Sequence, residues 1–383
     1  MSRAGVAPDV AIVGGGVIGC AAAYYLARAG ARVVVLERDR IGAEASTAAA
    51  GLLAPLAEDA RPGPFLDLAL ASLARYPALA TELRATTGID IELLTPGLLR
   101  LALDEAEAAD YQASLRWQQQ RGLPVRWLEG AEVRTLVPQV TSSVCGAVYS
   151  ELEHHVNPVR LVEALARAAA AHGAEFRLGT PVQGLCWQGR RVVGVRLPEG
   201  ELAAGHVVLA AGAWAAACGD WLGIRLPVEP VKGQLVAILP ETTTLRHPLY
   251  GRRGYLVPKA DGTVYVGATV ERVGFDRRVT AAGVASLLGL LCELVPPLST
   301  ATFVRAWAGL RPGTPDHLPV LGPVPGIEGV TLATGHYRNG ILLAPISGEL
   351  VAQAAQGKPT TLPLAPFSPA RFAGAAAAPG GTP

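Results

Sequence analysis

The chain has 383 residues, half of them hydrophobic, which is enough to bury a large core in two domains or in one elaborate domain. Such a composition excludes a disordered chain. Lysine plus arginine number 33 against 32 acidic residues, so the net charge of +1 gives no bulk field that would favour nucleic acid or an anionic membrane.

The cysteines and the apolar runs indicate a reduced protein without a membrane span. The five cysteines lie far apart, form no C-x-x-C pair and have no histidines at zinc-ligand spacing, so we expect a cytoplasmic location and no metal. The run Val10–Ala27 is apolar, but the glycines at 14 to 16 interrupt it and no strongly basic segment precedes it.

The opening of the chain has the pattern of a βαβ unit, with a buried parallel strand at Asp9–Val13, a helix at Val17–Ala29 and a second strand at Arg32–Leu36. The rest of the chain predicts helices alternating with strand-rich stretches. Predicted helices are Phe65–Ala85, Asp104–Arg121, Asn157–Ala171, Thr280–Leu294 and Ile341–Gln356. Predicted strands lie within Ile89–Leu103 (a pair around Pro96-Gly97), Phe176–Leu197, Glu201–Ala211, Lys232–Thr269 and Val330–Ala333.

The first turn of the βαβ unit carries a dinucleotide fingerprint. Gly14, Gly16 and Gly19 stand in G-x-G-x-x-G between strand and helix, and Glu37 ends the second strand at the required spacing. The glycines permit a tight turn and close approach to a pyrophosphate, and Glu37 would accept hydrogen bonds from the adenosine ribose. A carboxylate there disfavours NADP, while NAD and FAD both stay open. The alternative is a glycine-rich turn in an ordinary α/β protein.

Further segments decide between NAD and FAD. The small-residue run Ala45–Gly51 suits a backbone lying against a flat ring or a phosphate, with a flexible loop as the alternative. Six segments along the chain share the motifs of one family, and they are Ile12–Gly19, Ser46–Gly51, Tyr255–Pro258, Val266–Thr269, Trp307–Pro312 and Gly335–Ile341. They resemble the D-amino-acid oxidase family of flavoproteins, and most closely the glycine oxidases associated with thiamine-thiazole synthesis. The likeness is nearly full length.

The resemblance implies non-covalent FAD and hydride transfer from the substrate Cα to flavin N5. Arg311 would bind the substrate carboxylate, Tyr255 would add a hydroxyl to it, and Arg338 would lie over the flavin near the same pocket. The Gly340 region would bring backbone amides and a helix start to the flavin pyrimidine. Residues implied to line the FAD are Gly14, Gly16, Val17, Ile18, Gly19, Glu37, Arg38, Ala45, Ser46, Ala50, Gly51, Leu52, Val182, Gly212, His336, Tyr337, Arg338, Asn339, Gly340, Ile341 and Leu342.

The surroundings of Arg311 single it out independently. It lies among apolar and rigid residues, where an unpaired guanidinium is costly, so a fixed anionic partner is expected. The planar guanidinium can donate two parallel hydrogen bonds to an α-carboxylate. An internal salt bridge to Asp316 is the alternative. For Tyr255 the alternative is a core tyrosine on a strand. His317 and His336 are expected to be structural, because a neutral amine can lose hydride without a protein base.

The chain departs from the glycine oxidase pattern at its predicted substrate pocket. Leu52 and Val270 stand where methionines would line the pocket, and Arg253 replaces a histidine two residues before Tyr255. An inward-pointing Arg253 would favour acidic D-amino acids. Covalent flavin attachment has no candidate cysteine after Cys292.

The favoured function is oxidation of glycine, sarcosine or small D-amino acids, with O₂ as the acceptor. The products would be an imine, then a 2-oxo acid and ammonia, with hydrogen peroxide. One alternative is a D-amino-acid or hydroxy-acid dehydrogenase that passes electrons to a quinone or a carrier. A second is a non-catalytic flavin-binding subunit. Homo-oligomers are implied by the family, in which tetramers occur.

The predicted architecture is mixed α/β with two discontinuous domains. A Rossmann-like FAD-binding domain of the glutathione-reductase type is assigned to residues 1–85, 146–215 and 318–372. An antiparallel β-sheet substrate domain is assigned to residues 86–145 and 216–317, with the flavin ring expected where the two meet. Residues 373–383 are predicted to be a disordered tail.

Overall fold

The computed structural model describes residues 7–58, 61–242 and 245–373, so the predicted tail lies, apart from residue 373, outside the described residues. The helices are α1 (Val17–Arg28), α2 (Ala45–Ala48), α3 (Pro64–Leu73), α4 (Tyr76–Thr87), α5 (Glu105–Gln120), α6 (Gly130–Leu136), α7 (Pro158–Ala171), α8 (Ala215–Leu222), α9 (Ala281–Leu294) and α10 (Gly340–Ala355). Short 3₁₀ helices occupy Gly212–Trp214, Pro296–Thr300, Ala365–Phe367 and Pro369–Phe372.

The strands of the described residues belong to four sheets. They are β1 (Val10–Val13), β2 (Val33–Leu36), β3 (Leu52–Leu53), β4 (Leu98–Ala102), β5 (Val125–Glu129), β6 (Gly146–Ser150), β7 (His154–His155), β8 (Glu175–Arg177), β9 (Gly184–Gln188), β10 (Arg191–Leu197), β11 (Gly200–Ala203), β12 (His206–Leu209), β13 (Glu229–Leu239), β14 (Leu249–Gly251), β15 (Gly254–Pro258), β16 (Val264–Gly267), β17 (Thr302–Gly313), β18 (Val320–Pro323) and β19 (Val330–Thr334).

The chain forms two compact units. Unit 1 contains Met1–Ala43, Leu165–Pro230 and Arg311–Pro383, and unit 2 contains Glu44–Ala164 and Val231–Leu310.

Unit 1 is built on a parallel sheet with the strand order β18-β19-β12-β1-β2-β8. All neighbours in it are parallel except the edge strand β18, which runs antiparallel to β19. The central strands β1 and β2 are fully buried and lack the polar alternation of a one-sided sheet, as expected when both faces are covered. A separate antiparallel sheet contains β9 to β11.

Unit 2 is built on an eight-stranded sheet in the order β17-β13-β16-β15-β14-β4-β6-β5. Its pairings are mainly antiparallel, with β14 and β4 running parallel. Helix α9 buries Leu287 and Leu291 in the same core as Val236 and Leu256 of the sheet. The predicted combination of a parallel α/β part and a mainly antiparallel part is therefore present.

The unit boundaries differ from the predicted domain boundaries. Residues 44–85 and 146–164 belong to unit 2, whereas the sequence grouped them with the fingerprint. The reason is packing, since Leu56 and Leu66 share a core with Ala102 and Tyr111 of the antiparallel part. Residues 216–230 and 311–317 belong instead to unit 1.

Most predicted elements form, but the helix predicted over Phe65–Ala85 is divided into α3 and α4, and one predicted strand does not form. Asn157 caps α7 by accepting hydrogen bonds from the N–H groups of residues 159 and 160, and Thr280 caps α9, both at the predicted positions. The strand pair predicted around Pro96-Gly97 is wrong, because β4 pairs with β6 and β14 while Leu94 makes only an isolated bridge with His155. Among the described helices, none is long and apolar enough to cross a membrane.

Candidate functional site

The fingerprint turn connects β1 to α1, and its glycines are sterically required. Gly14 has φ +107°, and a Cβ added there would lie 2.5 Å from the carbonyl oxygen of Ala210. A Cβ on Gly19 would lie 2.0 Å from the carbonyl oxygen of Gly14. Gly16 is the N-cap of α1 and brings no capping side chain, and Val17 and Ile18 begin the helix. The turn therefore presents a bare backbone at a positive helix end.

Glu37 follows β2 and fixes this turn from the other side. Its Oε2 accepts a hydrogen bond from the N–H of Gly15 at 2.7 Å, and its Oε1 accepts one from the N–H of Asp39 at 2.9 Å. Each carboxylate oxygen keeps a further lone pair, which suits a ribose hydroxyl. The guanidinium of Arg38 lies 3.8 Å from the ring centroid of Trp214. The structure thus brings the acid and the glycines of the fingerprint together within unit 1.

The small-residue run in unit 2 forms the short helix α2 rather than an open loop, and it contains Ala45 and Ser46. Trp307 donates from Nε1 to the carbonyl oxygen of Ala48 at 3.0 Å. A Cβ on Gly309 would lie 2.6 Å from the Cβ of Ala48. Two sequence segments singled out separately therefore pack together, and small residues are needed on both sides of that contact.

Ala50, Gly51 and Leu52 continue from this helix into β3. Gly51 has φ +86°, and a Cβ there would lie 2.1 Å from the carbonyl oxygen of Val156. The carbonyl of Ala50 accepts a hydrogen bond from Nζ of Lys259 at 2.8 Å. Lys259 was not among the residues predicted from the sequence, although a lysine directly after the apolar strand Tyr-Leu-Val-Pro is an unusual feature that could have indicated it.

The segment from His336 to Leu342 leads from β19 into the N-terminus of α10. Tyr337 has the unusual φ of +48°, and its N–H donates to the carbonyl oxygen of Pro312 at 3.1 Å. Arg338 and Asn339 are half-buried, and Gly340, Ile341 and Leu342 form the first helical turn. A positive helix end therefore lies at the place where the resemblance puts the flavin pyrimidine.

His336 is buried, and Nε2 lies 2.9 Å from Oγ of Ser347. Burial lowers the pKa of His336 to about 3, so the ring is neutral at physiological pH. A neutral, hydrogen-bonded histidine inside the fold favours the structural role expected from the sequence. His317 is exposed, with its ring 4.9 Å from that of Tyr337.

The predicted carboxylate-binding residues lie on strands. Arg311 is half-buried on β17, in the part that belongs to unit 1. Asp316, the proposed internal partner, receives two hydrogen bonds from Arg371, from Nε at 2.7 Å and from Nη2 at 3.3 Å. Burial opposes ionisation of Asp316, but these hydrogen bonds still leave its pKa lowered. The carboxylate of Asp316 thus already has a bidentate arginine.

Tyr255 is buried on β15 in unit 2. Its ring lies 5.9 Å from that of Tyr250, and a Cβ on Gly267 would lie 2.6 Å from its Cε2. Gly267 therefore makes room for the tyrosine ring. The tyrosine belongs to an apolar cluster, as the core interpretation required, and its hydroxyl group adds a polar end to that cluster.

The three residues of the predicted substrate pocket differ in environment. Leu52 is half-buried on β3, whereas Val270 is 51% exposed after β16. Arg253 is exposed and forms an ion pair with Glu293. Because this guanidinium has a carboxylate partner in its own unit, its contacts do not favour recognition of an acidic substrate.

Of the remaining predicted residues, Val182 packs on the unit 1 core, and Gly212 begins a 3₁₀ helix with φ +52°.

The geometry fits a dinucleotide such as FAD. Gly14 and Gly19 have no room for side chains, the Glu37 carboxylate is fixed beside the turn, and α1 begins at this turn with no capping side chain on Gly16. These three features are what a pyrophosphate and a ribose require.

Comparison with known proteins supports the same conclusion. The family of FAD dependent oxidoreductases, DAO, matches residues 9–354. Glycine oxidase from Geobacillus kaustophilus is 42% identical over 368 residues, covering 96% of this chain and 97% of that protein. The crystal structure of glycine oxidase from Geobacillus kaustophilus matches with a TM-score of 0.92, covering 94% of this chain and 98% of that one.

Two further relatives are not named as glycine oxidases. The hydrogen cyanide synthase subunit HcnC of Pseudomonas aeruginosa is 36% identical over 95% of this chain and 96% of its own length. The bifunctional protein ThiO/ThiG of Trichormus variabilis is 39% identical over 90% of this chain, which spans 52% of that protein. The predicted resemblance, fold class and FAD dependence are confirmed, and the chain belongs to the DAO family of FAD dependent oxidoreductases.

Proposed function

We propose that this oxidoreductase removes a hydride from the α-carbon of glycine and of similarly small amino acids, namely sarcosine and small D-amino acids. The observation that carries the proposal is the 42% identity to a glycine oxidase along nearly the whole of both chains. Water would then hydrolyse the imine to a 2-oxo acid, glyoxylate in the case of glycine, and ammonia.

The chain's own residues would bind and orient the substrate. The Arg311 guanidinium would grip the carboxylate through two parallel hydrogen bonds, and the Tyr255 hydroxyl would donate a third. Arg338 would add positive charge, which favours loss of the ammonium proton from the bound amine. Bound FAD supplies the hydride acceptor. Since the amine reacts in its neutral form, the rate should rise with pH as the ammonium deprotonates.

The acceptor, the mode of flavin binding and the biological role complete the proposal. We expect O₂ as the electron acceptor, with hydrogen peroxide released, and FAD held without a covalent bond. A role in thiazole synthesis for thiamine is implied by the resemblance, and the similarity to ThiO/ThiG supports it. A cytoplasmic homo-oligomer stays a prediction from the sequence.

A second candidate function is a flavin-containing subunit of a larger enzyme that does not turn over free amino acids with O₂. The similarity to HcnC, a subunit by name, favours it.

Anaerobic mixing of the yellow protein with single amino acids separates these functions. Glycine, sarcosine and D-alanine should bleach the flavin absorption, and air should restore it with release of peroxide. Bleaching by L-alanine but not by glycine or D-alanine would contradict the proposed substrates. Bleaching by glycine that only an added quinone reverses would make the protein a dehydrogenase, and no bleaching would favour the subunit role.

Substitution of Arg311 tests the proposed carboxylate clamp. Arg311→Leu removes a charge partner worth about 2–5 kcal/mol in a buried pair, so the substrate concentration giving half-maximal flavin reduction should rise at least tenfold. Arg311→Lys should restore binding only in part, because an ammonium lacks the planar fork. Retention of the flavin spectrum is the control for folding. Unchanged reduction by ordinary substrate concentrations would assign Arg311 to structure.

A further inference from the structure

Lys259, at the end of β15, is a buried cation held by main-chain oxygens. Its side chain is among the buried residues at 9% exposure. Nζ donates to the carbonyl oxygen of Ala50 at 2.8 Å and to that of Val156 at 3.0 Å. It also lies 5.2 Å from the ring centroid of Tyr265. The contacts of this ammonium are therefore two dipoles and an aromatic face.

This arrangement differs from that of the other buried lysine in the chain, which has three lysines in all. Lys232 pairs with the carboxylate of Glu271 at 2.8 Å. Lys259 contacts carbonyls instead, and burial lowers its pKa to about 8. Keeping an amine in an apolar interior is costly, so a strong local requirement for its donors is expected.

The two acceptor carbonyls come from chain segments 106 residues apart that meet at one point. Val156 donates its N–H to the carbonyl oxygen of Gly51 at 2.9 Å, and Leu52 pairs with His155 in the β3–β7 ladder. The Val156 carbonyl oxygen also occupies the space where a Gly51 side chain would stand. Nζ of Lys259 donates to both carbonyl oxygens and so links the two segments at this junction.

We infer that Lys259 is a positioning residue for the cofactor: by holding the carbonyls of Ala50 and Val156 it fixes the path of Ala50–Leu52, the stretch proposed to line the FAD. The inference rests on the proposed roles of Ala50, Gly51 and Leu52. Lys259 itself acts through these residues. Its loss should therefore weaken FAD binding and alter the substrate response beyond any loss of stability.

Lys259→Met keeps the length and shape of the side chain but removes its donors, and Lys259→Arg keeps a cation. The full-length apoprotein of each variant is titrated with FAD. Because the path of Ala50–Leu52 is no longer held, we expect the Kd for FAD to rise about tenfold in Lys259→Met, about 1.4 kcal/mol, and to recover partly in Lys259→Arg. The visible flavin bands should shift, and KM for glycine should rise more than kcat falls.

Val133→Ala provides the matched control, because Val133 is fully buried in the core of unit 2 and belongs to a different cluster from Ala50. It should lower Tm while leaving the Kd and the flavin bands unchanged. Lys259→Met that lowers Tm in the same way, with a wild-type Kd and wild-type flavin bands, would overturn the inference.

A second measurement uses the wild-type chain, in case Lys259→Met does not fold. With ¹³Cε-labelled lysine, the chain gives three signals, assigned by Lys358→Arg and Lys232→Arg. The Lys259 signal should titrate near pH 8 and should shift when FAD is added to the apoprotein, whereas that of the exposed Lys358 should not shift. A Lys259 signal indifferent to FAD would refute the positioning role.

The outcomes separate this inference from the proposed function. A protein that binds FAD, shows the Lys259 effects and yet leaves glycine unoxidised contradicts only the proposed substrate. A glycine oxidase with FAD binding indifferent to Lys259 contradicts only the positioning role. A wild-type chain that binds no FAD contradicts both.

Discussion

At the scale of single residues, the fingerprint requires glycine at two positions where a side chain has no space. Gly14 and Gly19 are excluded from carrying side chains by main-chain oxygens 2.5 Å and 2.0 Å from the ideal Cβ positions. Glu37 closes the turn with a 2.7 Å hydrogen bond from Gly15. A carboxylate with two fixed main-chain donors keeps one orientation, which reduces the ordering cost when a ribose binds.

Glu37→Ala should weaken FAD binding. It removes a charged acceptor for the ribose and a hydrogen bond that holds the turn, and a hydrogen bond to a charged group is worth about 1.5–3 kcal/mol. The Kd for FAD should therefore rise about tenfold or more. Asp39→Ala is the control, since it removes a neighbouring exposed charge but keeps the N–H that donates to Glu37. Equal affinities of the two variants would exclude Glu37 from the cofactor site.

At the scale of elements, unit 1 depends on close packing of its first and last long helices. α1 is rich in alanine, and nearly all of its residues are buried. At Gly348 of α10 an added Cβ would lie 2.8 Å from the Cβ of Ala21 and 2.7 Å from its carbonyl carbon. Small residues on both helices therefore set the distance between them.

Gly348→Ala should lower the free energy of unfolding. Overpacking costs about 1–3 kcal/mol, which exceeds the gain of about 0.5–1 kcal/mol from replacing a helical glycine. Gly289→Ala in α9 is the matched control, because the position is exposed and a Cβ there meets nothing within 4 Å. That variant should be more stable than wild type. Urea unfolding of both proteins measures the two signs, and a stabilised Gly348→Ala would disprove the tight packing of α1 on α10.

At the scale of the whole molecule, buried titratable groups make stability depend on pH. Burial lowers the pKa of His155 and His336 to about 3 and that of His206 to about 4. Between those values and the ordinary histidine pKa of about 6.5, the unfolded chain binds more protons than the folded one. Stability from these groups therefore increases as pH rises from about 4 to 6.5.

Glu153 acts in the opposite direction. Burial raises its pKa to about 7, against hydrogen bonds from the N–H groups of Leu56 and Ala57 that lower it. Between pH 4.5 and 7 the folded chain thus holds the extra proton, and this group's contribution to stability falls as pH rises.

The contributions of the three histidines increase with pH and that of the one glutamate decreases. We therefore expect a net increase in the free energy of unfolding from pH 4 to 6.5. Urea denaturation at several pH values measures it. Glu153→Gln should make the increase steeper, since the opposing titration is gone. Stability that falls over this range, or a slope unaffected by Glu153→Gln, would contradict the assignment of these buried groups.

The sequence by itself determined what depends on neighbours along the chain. The helix starts near Asn157 and Thr280, the βαβ opening and the glycine fingerprint with Glu37 are local patterns, and the structure contains each of them. The family likeness, carried by short motifs, is confirmed in the same way. The roles assigned to Arg311 and the other site residues stay predictions, because they depend on molecules that the sequence does not specify.

Only the tertiary structure decided which segments meet. The strands predicted to pair around Pro96-Gly97 find partners elsewhere, because β-pairing is chosen by competition among distant strands rather than by local propensity. Residues 44–85 follow the fingerprint in sequence but pack in unit 2, since apolar side chains join the core that buries them best. Lys259 gave only a weak signal in the sequence because its hydrogen bonds join distant parts of the chain. Its two acceptors lie 209 and 103 residues away, and only folding brings them to one nitrogen.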